Sequence, residues 1–262
     1  MLAIDVGNTH ITTGIFEGGV LKEVLRISTL DCLRDGAFLV HAPAVKAKLP
    51  HDTIMVSVRA QATRIIVREW ERFGGFYPVI VDANTPMGIE VRYSTRDTLG
   101  VDRLVCAAAA HRLYGKQGRP VIVVDMGTAT TIDYVSEHGV FEGGMIAPGL
   151  RSAYEGLLTA APQLPRLDDL GGGSIIGAST DECVRSGVLK GHAAMIRKAS
   201  EIMARTRRRR PVVVVTGGLS AMVRDDLPRS YRMDGDLVLK GLSIIGSLQR
   251  EERVKISGSS GR

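Results

Sequence analysis

The same short pattern opens the chain and returns 120 residues later. A run of apolar residues ends in Asp5-Val6-Gly7, and a second run ends in Asp125-Met126-Gly127. The sequence Phe-Glu-Gly-Gly then follows each unit, at 16–19 and at 141–144. A repeat of this length is much longer than the period of a solenoid. It predicts one domain that has been duplicated, each copy starting with a strand, an Asp-x-Gly turn and a second strand.

Strand-like and helix-like segments alternate along both halves of the chain. Apolar runs bounded by turn residues predict strands, and segments rich in helix-forming residues predict helices. Strands are expected at 2–7, 11–16, 20–27, 53–58, 79–82 and 212–215, and helices at 62–73, 103–114, 181–205 and 241–252. This alternation is typical of an α/β protein, and two similar halves suggest a cleft between them, where small-molecule sites tend to lie.

Turn-forming residues mark the candidate domain boundaries. A polar turn at 115–120 separates the two copies of the pattern, so we expect an N-terminal domain at 1–115 and a C-terminal domain at 116–252. The Ser- and Gly-rich end of the chain predicts a flexible tail at 253–262.

The net charge of +6 is concentrated in two places. Arg205 and the arginines at 207–210 supply most of it, and the last ten residues supply more positive charge without any acid. The rest of the chain is slightly acidic, so we expect no broad surface for nucleic acid. We interpret the arginine run as a solvated loop, and contact with phosphate or an acidic partner is the alternative.

Composition and the chain start exclude several classes of protein. Hydrophobic residues make up 44% and charged residues 24% of the sequence, which is ordinary for a soluble globular protein and excludes a disordered chain. No apolar run is long enough to cross a bilayer, and an acid at position 5 argues against a signal peptide. The three cysteines Cys32, Cys106 and Cys183 are far apart, so we expect reduced and mostly buried thiols in a cytoplasmic protein.

The two Asp-x-Gly turns are the candidate phosphate sites. The sequence contains no P-loop, no Rossmann fingerprint and no zinc-protease, nucleophile-elbow or Cys-x-x-Cys motif. In the segment 5–12, the Asp5 carboxylate could hold Mg²⁺, while backbone N–H groups and hydroxyls could take phosphate oxygens. The segment 125–131 repeats this chemistry with three threonines. The alternative for either turn alone is a β-turn closed by its own aspartate.

A third motif, Gly100-Val101-Asp102-Arg103, comes just before the alanine-rich helix. Asp102 would lie in the first helical turn, where the helix dipole favours a carboxylate. It could accept a proton from a substrate hydroxyl, as the aspartate of a kinase does. Arg103 could bind an anionic substrate, and Gly100 would let that substrate approach the backbone. The alternative is a plain charged turn at the start of a helix.

Together these motifs closely resemble the type III pantothenate kinase family, in which bacterial enzymes commit pantothenate to coenzyme A synthesis. The resemblance covers about residues 1 to 250. The matching segments are Asp5–Thr9, Leu99–Arg103, Asp125–Thr131, Gly143–Gly149 and Thr216–Gly218. The Asp-x-Gly turn alone is a weak motif, whereas Gly-x-Asp-Arg followed by Asp-x-Gly-Thr-Ala-Thr-Thr is specific.

The resemblance implies a fold, a reaction and partners. It places the chain in the actin-like, sugar-kinase-like superfamily, with two duplicated ribonuclease-H-like domains and a cleft between them. The implied reaction is ATP-dependent phosphorylation of pantothenate to 4′-phosphopantothenate. The implied cofactors are Mg²⁺ with ATP and a monovalent cation, K⁺ or NH₄⁺. The implied assembly is a homodimer with the pantothenate pocket near its interface.

The resemblance also implies roles for individual residues. Asp102 would be the catalytic base, Asp125 would bind the monovalent cation, and Asp5 could hold Mg²⁺ through the phosphates. The residues expected to bind ATP are Asp5, Val6, Gly7, Asn8, Thr9, His10, Ile11, Thr12 and Thr128. The residues expected to bind pantothenate are Tyr93, Gly100, Val101, Asp102, Arg103 and Thr180.

Some positions allow other interpretations. Thr95-Arg96 stands where the family usually has Asn-Pro, which changes the charge near the expected pantothenate site. Without the resemblance, Tyr93 would be a packing residue, Thr180 would cap a helix, and the scattered histidines would be structural or at the surface. Two rival functions stay open: another kinase or phosphohydrolase of the superfamily, and a nucleotide-dependent interaction protein, which only the arginines at 207–210 favour.

Overall fold

The computed structural model describes the backbone of residues 1–259 and the side chains of residues 1–251. The strands in this part of the chain are β1 (Leu2–Val6), β2 (His10–Glu17), β3 (Val20–Ser28), β4 (Thr53–Ser57), β5 (Val79–Ile80), β6 (Glu90–Val91), β7 (Val121–Met126), β8 (Ala129–Val135), β9 (Val140–Pro148), β10 (Val212–Thr216) and β11 (Arg232–Met233). The α-helices are α1 (Thr29–Asp35), α2 (Pro43–Lys48), α3 (Ala60–Gly74), α4 (Val101–Tyr114), α5 (Leu150–Ala160), α6 (Thr180–Arg207) and α7 (Leu237–Ser259). Short 3₁₀ helices lie at Arg96–Thr98 and Ser220–Asp226.

The first compact unit contains residues 1–89, 94–109 and 237–259. Its sheet has the order β3-β2-β1-β4-β5, with β1 antiparallel to β2 and parallel to β4. The strand β1 is central and apolar, and Leu2, Ile4 and Val6 are fully buried in one cluster with Trp70 of α3. Helix α7 groups with this unit because it packs against β1 and β4. This differs from the predicted division at residue 115, which assigns α7 to the other domain.

The second unit contains residues 90–93 and 110–236. Its sheet has the order β11-β10-β7-β8-β9-β6, in which β7 is antiparallel to β8 and parallel to β10. Helices α5 and α6 pack on one face of β8 and on each other. The core of this unit lies between them and the sheet, where Ile122, Ile132 and Ile196 are fully buried.

The two sheets share one arrangement of five strands. The order β9-β8-β7-β10-β11 repeats the order β3-β2-β1-β4-β5, with the same parallel and antiparallel neighbours. The two Asp-x-Gly turns lie at equivalent places, after β1 and after β7. The α/β prediction is confirmed, and the shared order is what a duplication would produce.

Several elements differ from the prediction. Helices α1, α2 and α5 are not predicted from the sequence, and the first two are only seven and six residues long. Helix α7 begins before residue 241 and runs to Ser259, so it includes most of the predicted tail. The last three residues of that tail lie outside the described residues. In the described part of the chain, no helix combines the length and the hydropathy that a membrane span requires.

Candidate active site

The first Asp-x-Gly turn connects β1 to β2. Asp5 is half-buried near the end of β1 and pairs in register with Thr12 of β2. The N–H of Gly7 donates to the carbonyl of His10 at 2.9 Å, which closes the turn. A Cβ atom at Gly7 would lie 2.9 Å from that carbonyl oxygen, so the turn needs a glycine there. The intervening residues 8–10 are exposed, as a phosphate-binding turn requires.

Helix α1 holds this turn from the protein side. The buried Thr29 donates its hydroxyl to the carbonyl of Gly7 at 2.9 Å, and its N–H donates to the carbonyl of Thr9 at 3.0 Å. The sequence does not identify Thr29 as part of the site, because it does not predict the short helix α1. The side chains of Val6 and Ile11 are fully buried in the core, so only their backbone groups could contact a ligand.

Asp102 lies in the first turn of α4, as the sequence predicts. Its Oδ1 accepts a hydrogen bond of 2.9 Å from the N–H of Arg103. Burial raises the pKa of the Asp102 carboxyl above its usual range, and this effect exceeds the opposing influence of the Arg103 N–H and guanidinium. The neighbouring Arg103 is only 8% exposed, so its side chain is not a solvated surface group. The segment can therefore present a carboxylate with increased proton affinity.

The second Asp-x-Gly turn connects β7 to β8. Asp125 is half-buried and pairs with Thr131 on one side and with Thr216 on the other. The N–H of Gly127 donates to the carbonyl of Ala129 at 3.0 Å, in a turn one residue shorter than that at Gly7.

The start of α5 holds the second turn in place. The carbonyl of the exposed Thr128 accepts hydrogen bonds from the hydroxyl of Ser152, at 2.7 Å, and from the N–H of Gly149, at 3.0 Å. These two contacts fix the backbone next to the position expected to bind ATP.

Gly217 lies directly beside the Asp125 carboxylate. It has a φ of +92°, and a Cβ atom there would lie 2.5 Å from Oδ1 of Asp125. The N–H of Leu219 donates to the carbonyl of Met126 at 3.2 Å, which keeps this turn against β7. A carboxylate and backbone carbonyls are oxygen ligands that suit a hard cation, so these residues fit K⁺ or NH₄⁺. Among the described residues, no group of three or more His, Cys, Asp and Glu side chains forms a metal cluster.

Tyr93 and Thr180 are both in the second unit. The Tyr93 ring lies 6.1 Å from that of Phe141, and a Cβ atom at Gly143 would be 3.1 Å from it. Thr180 is exposed and is the first residue of α6, whereas Ser179 is the cap because its hydroxyl accepts from the N–H of Glu182 at 3.3 Å. The capping alternative for Thr180 is therefore wrong.

The remaining expected positions are distributed as follows. The first unit carries the segments 5–12 and 100–103, and the second carries Tyr93, Asp125, Thr128 and Thr180. Thr95-Arg96 is exposed at a 3₁₀ turn, which the hydroxyl of Thr98 closes on the carbonyl of Thr95 at 3.0 Å. Cys32 and Cys106 are buried, Cys183 is exposed, and all three are free thiols.

Comparison with known proteins shows the family to which this chain belongs. The sequence profile of type III pantothenate kinase matches residues 1–205. The chain is 33% identical to the type III pantothenate kinase of Syntrophotalea carbinolica, over 94% of this chain and 97% of that protein. It belongs to the type III pantothenate kinase family. A second pantothenate kinase of this type, from Agathobacter rectalis, is 32% identical over 97% of this chain and 100% of its own length.

Solved structures with the same fold include nucleotide-bound proteins. This pantothenate kinase family member superposes on the activator of 2-hydroxyisocaproyl-CoA dehydratase from Clostridium difficile, which has ADPNP bound, with a TM-score of 0.55 and 9% identity over 97% of both chains. It superposes on a ROK family glucokinase from Streptomyces griseus with a TM-score of 0.53 and 13% identity, over 96% of this chain and 99% of the glucokinase. At these identities the likeness shows the fold alone, which is that of the sugar kinases and related ATPases.

Proposed function

We propose that this chain phosphorylates pantothenate with ATP to give 4′-phosphopantothenate, the first step of coenzyme A synthesis. The observation that carries the proposal is the Asp102 carboxylate in the first turn of α4, within the Gly-Val-Asp-Arg motif of a chain that belongs to the type III pantothenate kinase family. The oxygen of the 4′-hydroxyl attacks the γ-phosphorus, the bond to the β–γ bridging oxygen breaks, and ADP leaves. The hydroxyl proton passes to Asp102.

Asp102 orients the hydroxyl and accepts its proton in this reaction. Phosphoryl transfer depends mainly on positioning and electrostatic stabilisation, so a strong base is not a requirement. The raised pKa nevertheless makes the carboxylate a better proton acceptor than an exposed aspartate. Arg103 and the backbone of Gly100 and Val101 would bind the anionic substrate, together with Tyr93 and Thr180.

ATP would be held by the segment 5–12 and by Thr128. Backbone N–H groups and hydroxyls of the first turn would bind phosphate oxygens, with Val6 and Ile11 contributing only main-chain contacts. Mg²⁺ bound with the nucleotide would neutralise phosphate charge, and Asp5 could hold it directly or through water. Asp125 would hold the monovalent cation, with the carbonyl oxygens beside it as further ligands.

We infer that the protein is a cytoplasmic homodimer of two duplicated ribonuclease-H-like domains per chain. A groove of about 530 Å³ opens between α5 and α6, with Thr180 and mostly apolar side chains in its lining. Gly187 and Gly191 line it too, and a Cβ atom at either would meet nothing within 4 Å. Exposed glycines within a helix are unfavourable unless close packing needs them, which supports a second copy against this face. Gly191→Arg should then sediment as a monomer in sedimentation velocity. A variant that still sediments as a dimer would show that the dimer interface is not at this groove.

A mass-spectrometric assay for 4′-phosphopantothenate tests the reaction. Pantothenate, ATP and Mg²⁺ are supplied with either K⁺ or Na⁺, and product is expected in K⁺ with much less in Na⁺. Asp102→Asn is the matched variant, because it keeps the shape of the side chain and removes the base. It should lower turnover by about 10²- to 10⁴-fold while ATP still binds. Folded wild-type protein that gives no product in either salt would overturn the proposal.

A further inference from the structure

A buried hydrogen bond joins α6 to the strand that follows the second Asp-x-Gly turn. Nε2 of His192 lies 2.9 Å from the hydroxyl oxygen of Thr130. Thr130 has no exposed surface, and His192 is only 7% exposed. The two residues are 62 positions apart in the chain, so the contact exists only in the folded protein. The sequence counts Thr130 among three threonines that could take phosphate oxygens, but its buried hydroxyl contacts His192 instead, and no role has been assigned to His192.

Thr130 lies on the other face of the sheet from Asp125. It is paired with Met126 of β7 and with Ala147 of β9, whereas its neighbour Thr131 is paired with Asp125. Side chains alternate between the faces of a strand, so the Thr130 hydroxyl points toward the core shared with α6. His192 therefore reaches the strand from behind the site.

The pair anchors one end of the turn that carries Thr128. Thr130 and Met126 are the last paired residues before that turn, and the N–H of Gly127 closes it on the carbonyl of Ala129. Ser152 and Gly149 hold the other side of the turn through the Thr128 carbonyl. His192 adds a third attachment, from the middle of a 28-residue helix.

The chemistry of the pair favours a specific contact over simple packing. A buried hydroxyl without a partner is unfavourable, and valine would fill the same volume without that penalty. Burial lowers the pKa of His192, so its ring is neutral near pH 7 and no buried charge is created. A neutral imidazole has one donor and one acceptor nitrogen, which suits a single bond to a hydroxyl.

We propose that His192 is a positioning residue, which acts through the Thr130 hydroxyl to hold the Thr128 turn in the conformation that binds the phosphates of ATP. This inference rests on the proposed assignment of that turn to ATP. It predicts that losing the bond weakens nucleotide binding in a protein that is still folded. A purely structural role predicts a loss of stability with unchanged nucleotide affinity.

Calorimetric titration of the full chain with Mg·ATP tests the proposal without relying on turnover. His192→Leu and Thr130→Val should each weaken binding by about five- to tenfold, the equivalent of one hydrogen bond. Thr130→Ser keeps a hydroxyl and His192→Gln keeps a terminal nitrogen. The affinity of each variant for Mg·ATP should therefore stay within about twofold of that of the wild type. The double variant His192→Leu/Thr130→Val should bind no more weakly than either single variant, because both remove the same bond.

Ile196→Ala supplies the matched control. Ile196 lies one helical turn after His192 in the same core and is fully buried, so its loss lowers stability without touching the bond. It should melt earlier and bind Mg·ATP like the wild type. Equal affinity of wild type, His192→Leu and Thr130→Val would overturn the inference, even if the wild type makes 4′-phosphopantothenate. Wild type that does not bind Mg·ATP would overturn the proposed function as well.

Discussion

Gly100 makes room for the Asp102 carboxylate, because a Cβ atom at position 100 would lie 2.6 Å from its Oδ1. Real Cβ atoms do not approach an oxygen so closely, so any side chain there must displace the carboxylate. From the sequence, we expected Gly100 to let a substrate approach the backbone. The structure adds that the glycine serves the proposed base itself, which accepts a bond from the N–H of Arg103 on the same oxygen.

We predict that Gly100→Ala lowers kcat by about 10²-fold, since a displacement of about 1 Å in a reacting group costs that much. The KM for ATP should change little, because the residue touches no part of the proposed nucleotide site. Steady-state kinetics with both substrates measures the two effects. The control is Gly156→Ala in α5, where an added Cβ meets nothing within 4 Å. Wild-type kcat in Gly100→Ala would contradict the crowding argument.

The raised pKa of Asp102 predicts the pH dependence of the reaction. The base acts only when ionised, and burial favours the protonated form. Activity should therefore start to fall at a higher pH than for an exposed aspartate, with the acid limb of kcat/KM above about pH 4. A profile of kcat/KM from pH 4 to 8 measures this limb.

The raised pKa of Asp102 also affects the free energy of unfolding, because burying the ionised carboxylate destabilises the folded protein. A carboxyl whose pKa is raised by folding destabilises the folded state once the pH exceeds its unfolded pKa. Asp102→Asn should therefore be more stable than wild type at neutral pH, and the difference should shrink as the pH falls through the unfolded value. Urea unfolding of both proteins at pH 7 and at acid pH measures it, and equal midpoints at pH 7 would argue against a buried carboxylate.

The sequence predicts those parts of the fold that depend on local patterns. β1 and β7 are recognisable because an apolar run ends in Asp-x-Gly, and α4 because a helix-forming segment follows an acid in its first turn. Helix α5 could not be predicted as easily, since it begins after Gly149 without a capping side chain. The grouping of α7 with the first sheet depends on packing across almost the whole chain length, which no local pattern encodes.

In the candidate site, too, residues in short motifs can be predicted from the sequence, whereas residues that act through distant contacts cannot. The family motifs identify Asp102, Asp125 and the turns, because each motif is a short contiguous segment. Contacts between distant segments could not be predicted in this way: Thr29 under the first turn and His192 behind Thr130 were missed, and Gly217 was matched to the family without its place beside Asp125. Apart from His10 in the first turn, the histidines were interpreted as structural or exposed, and nothing in the sequence distinguishes His192 from the other four.

Gly217 provides a test of the proposed cation site. A Cβ at this position would intrude on Oδ1 of Asp125, and its φ of +92° is strained for any other residue. We predict that Gly217→Ala raises the K⁺ concentration for half-activation by about tenfold, as changes beside a metal ligand do. Added KCl should also stabilise the wild type against heat more than it stabilises the variant, which tests the site without turnover.

A matched glycine separates the cation effect from general damage. An added Cβ at Gly235 meets nothing within 4 Å, so Gly235→Ala should keep both the K⁺ dependence and the melting temperature. If Gly217→Ala melts earlier but is half-activated at the wild-type K⁺ concentration, the glycine supports the fold and Asp125 is not the cation ligand.

The arginines at 207–210 are exposed at the end of α6 and in the loop after it, as expected of a solvated segment, but two of them pair with glutamates of the same chain. Arg207 ends α6, pairs with Glu142, and its guanidinium lies 5.8 Å from the centre of the Tyr134 ring. Arg209 pairs with Glu137 at 2.9 Å. The side chains of these two glutamates are only 19% and 17% exposed, so removing an arginine leaves a carboxylate in poor contact with water.

We predict that Arg207→Ala/Arg209→Ala lowers the midpoint of urea unfolding, because two shielded carboxylates lose their cations. Arg208→Ala/Arg210→Ala changes the net charge equally and is the matched control, since both side chains are exposed. It should unfold like the wild type. Neither pair should alter turnover, and neither wild type nor variants should bind DNA or RNA at physiological salt in fluorescence anisotropy. Binding that the Arg208→Ala/Arg210→Ala variant abolishes would instead revive the nucleotide-dependent interaction protein as a function.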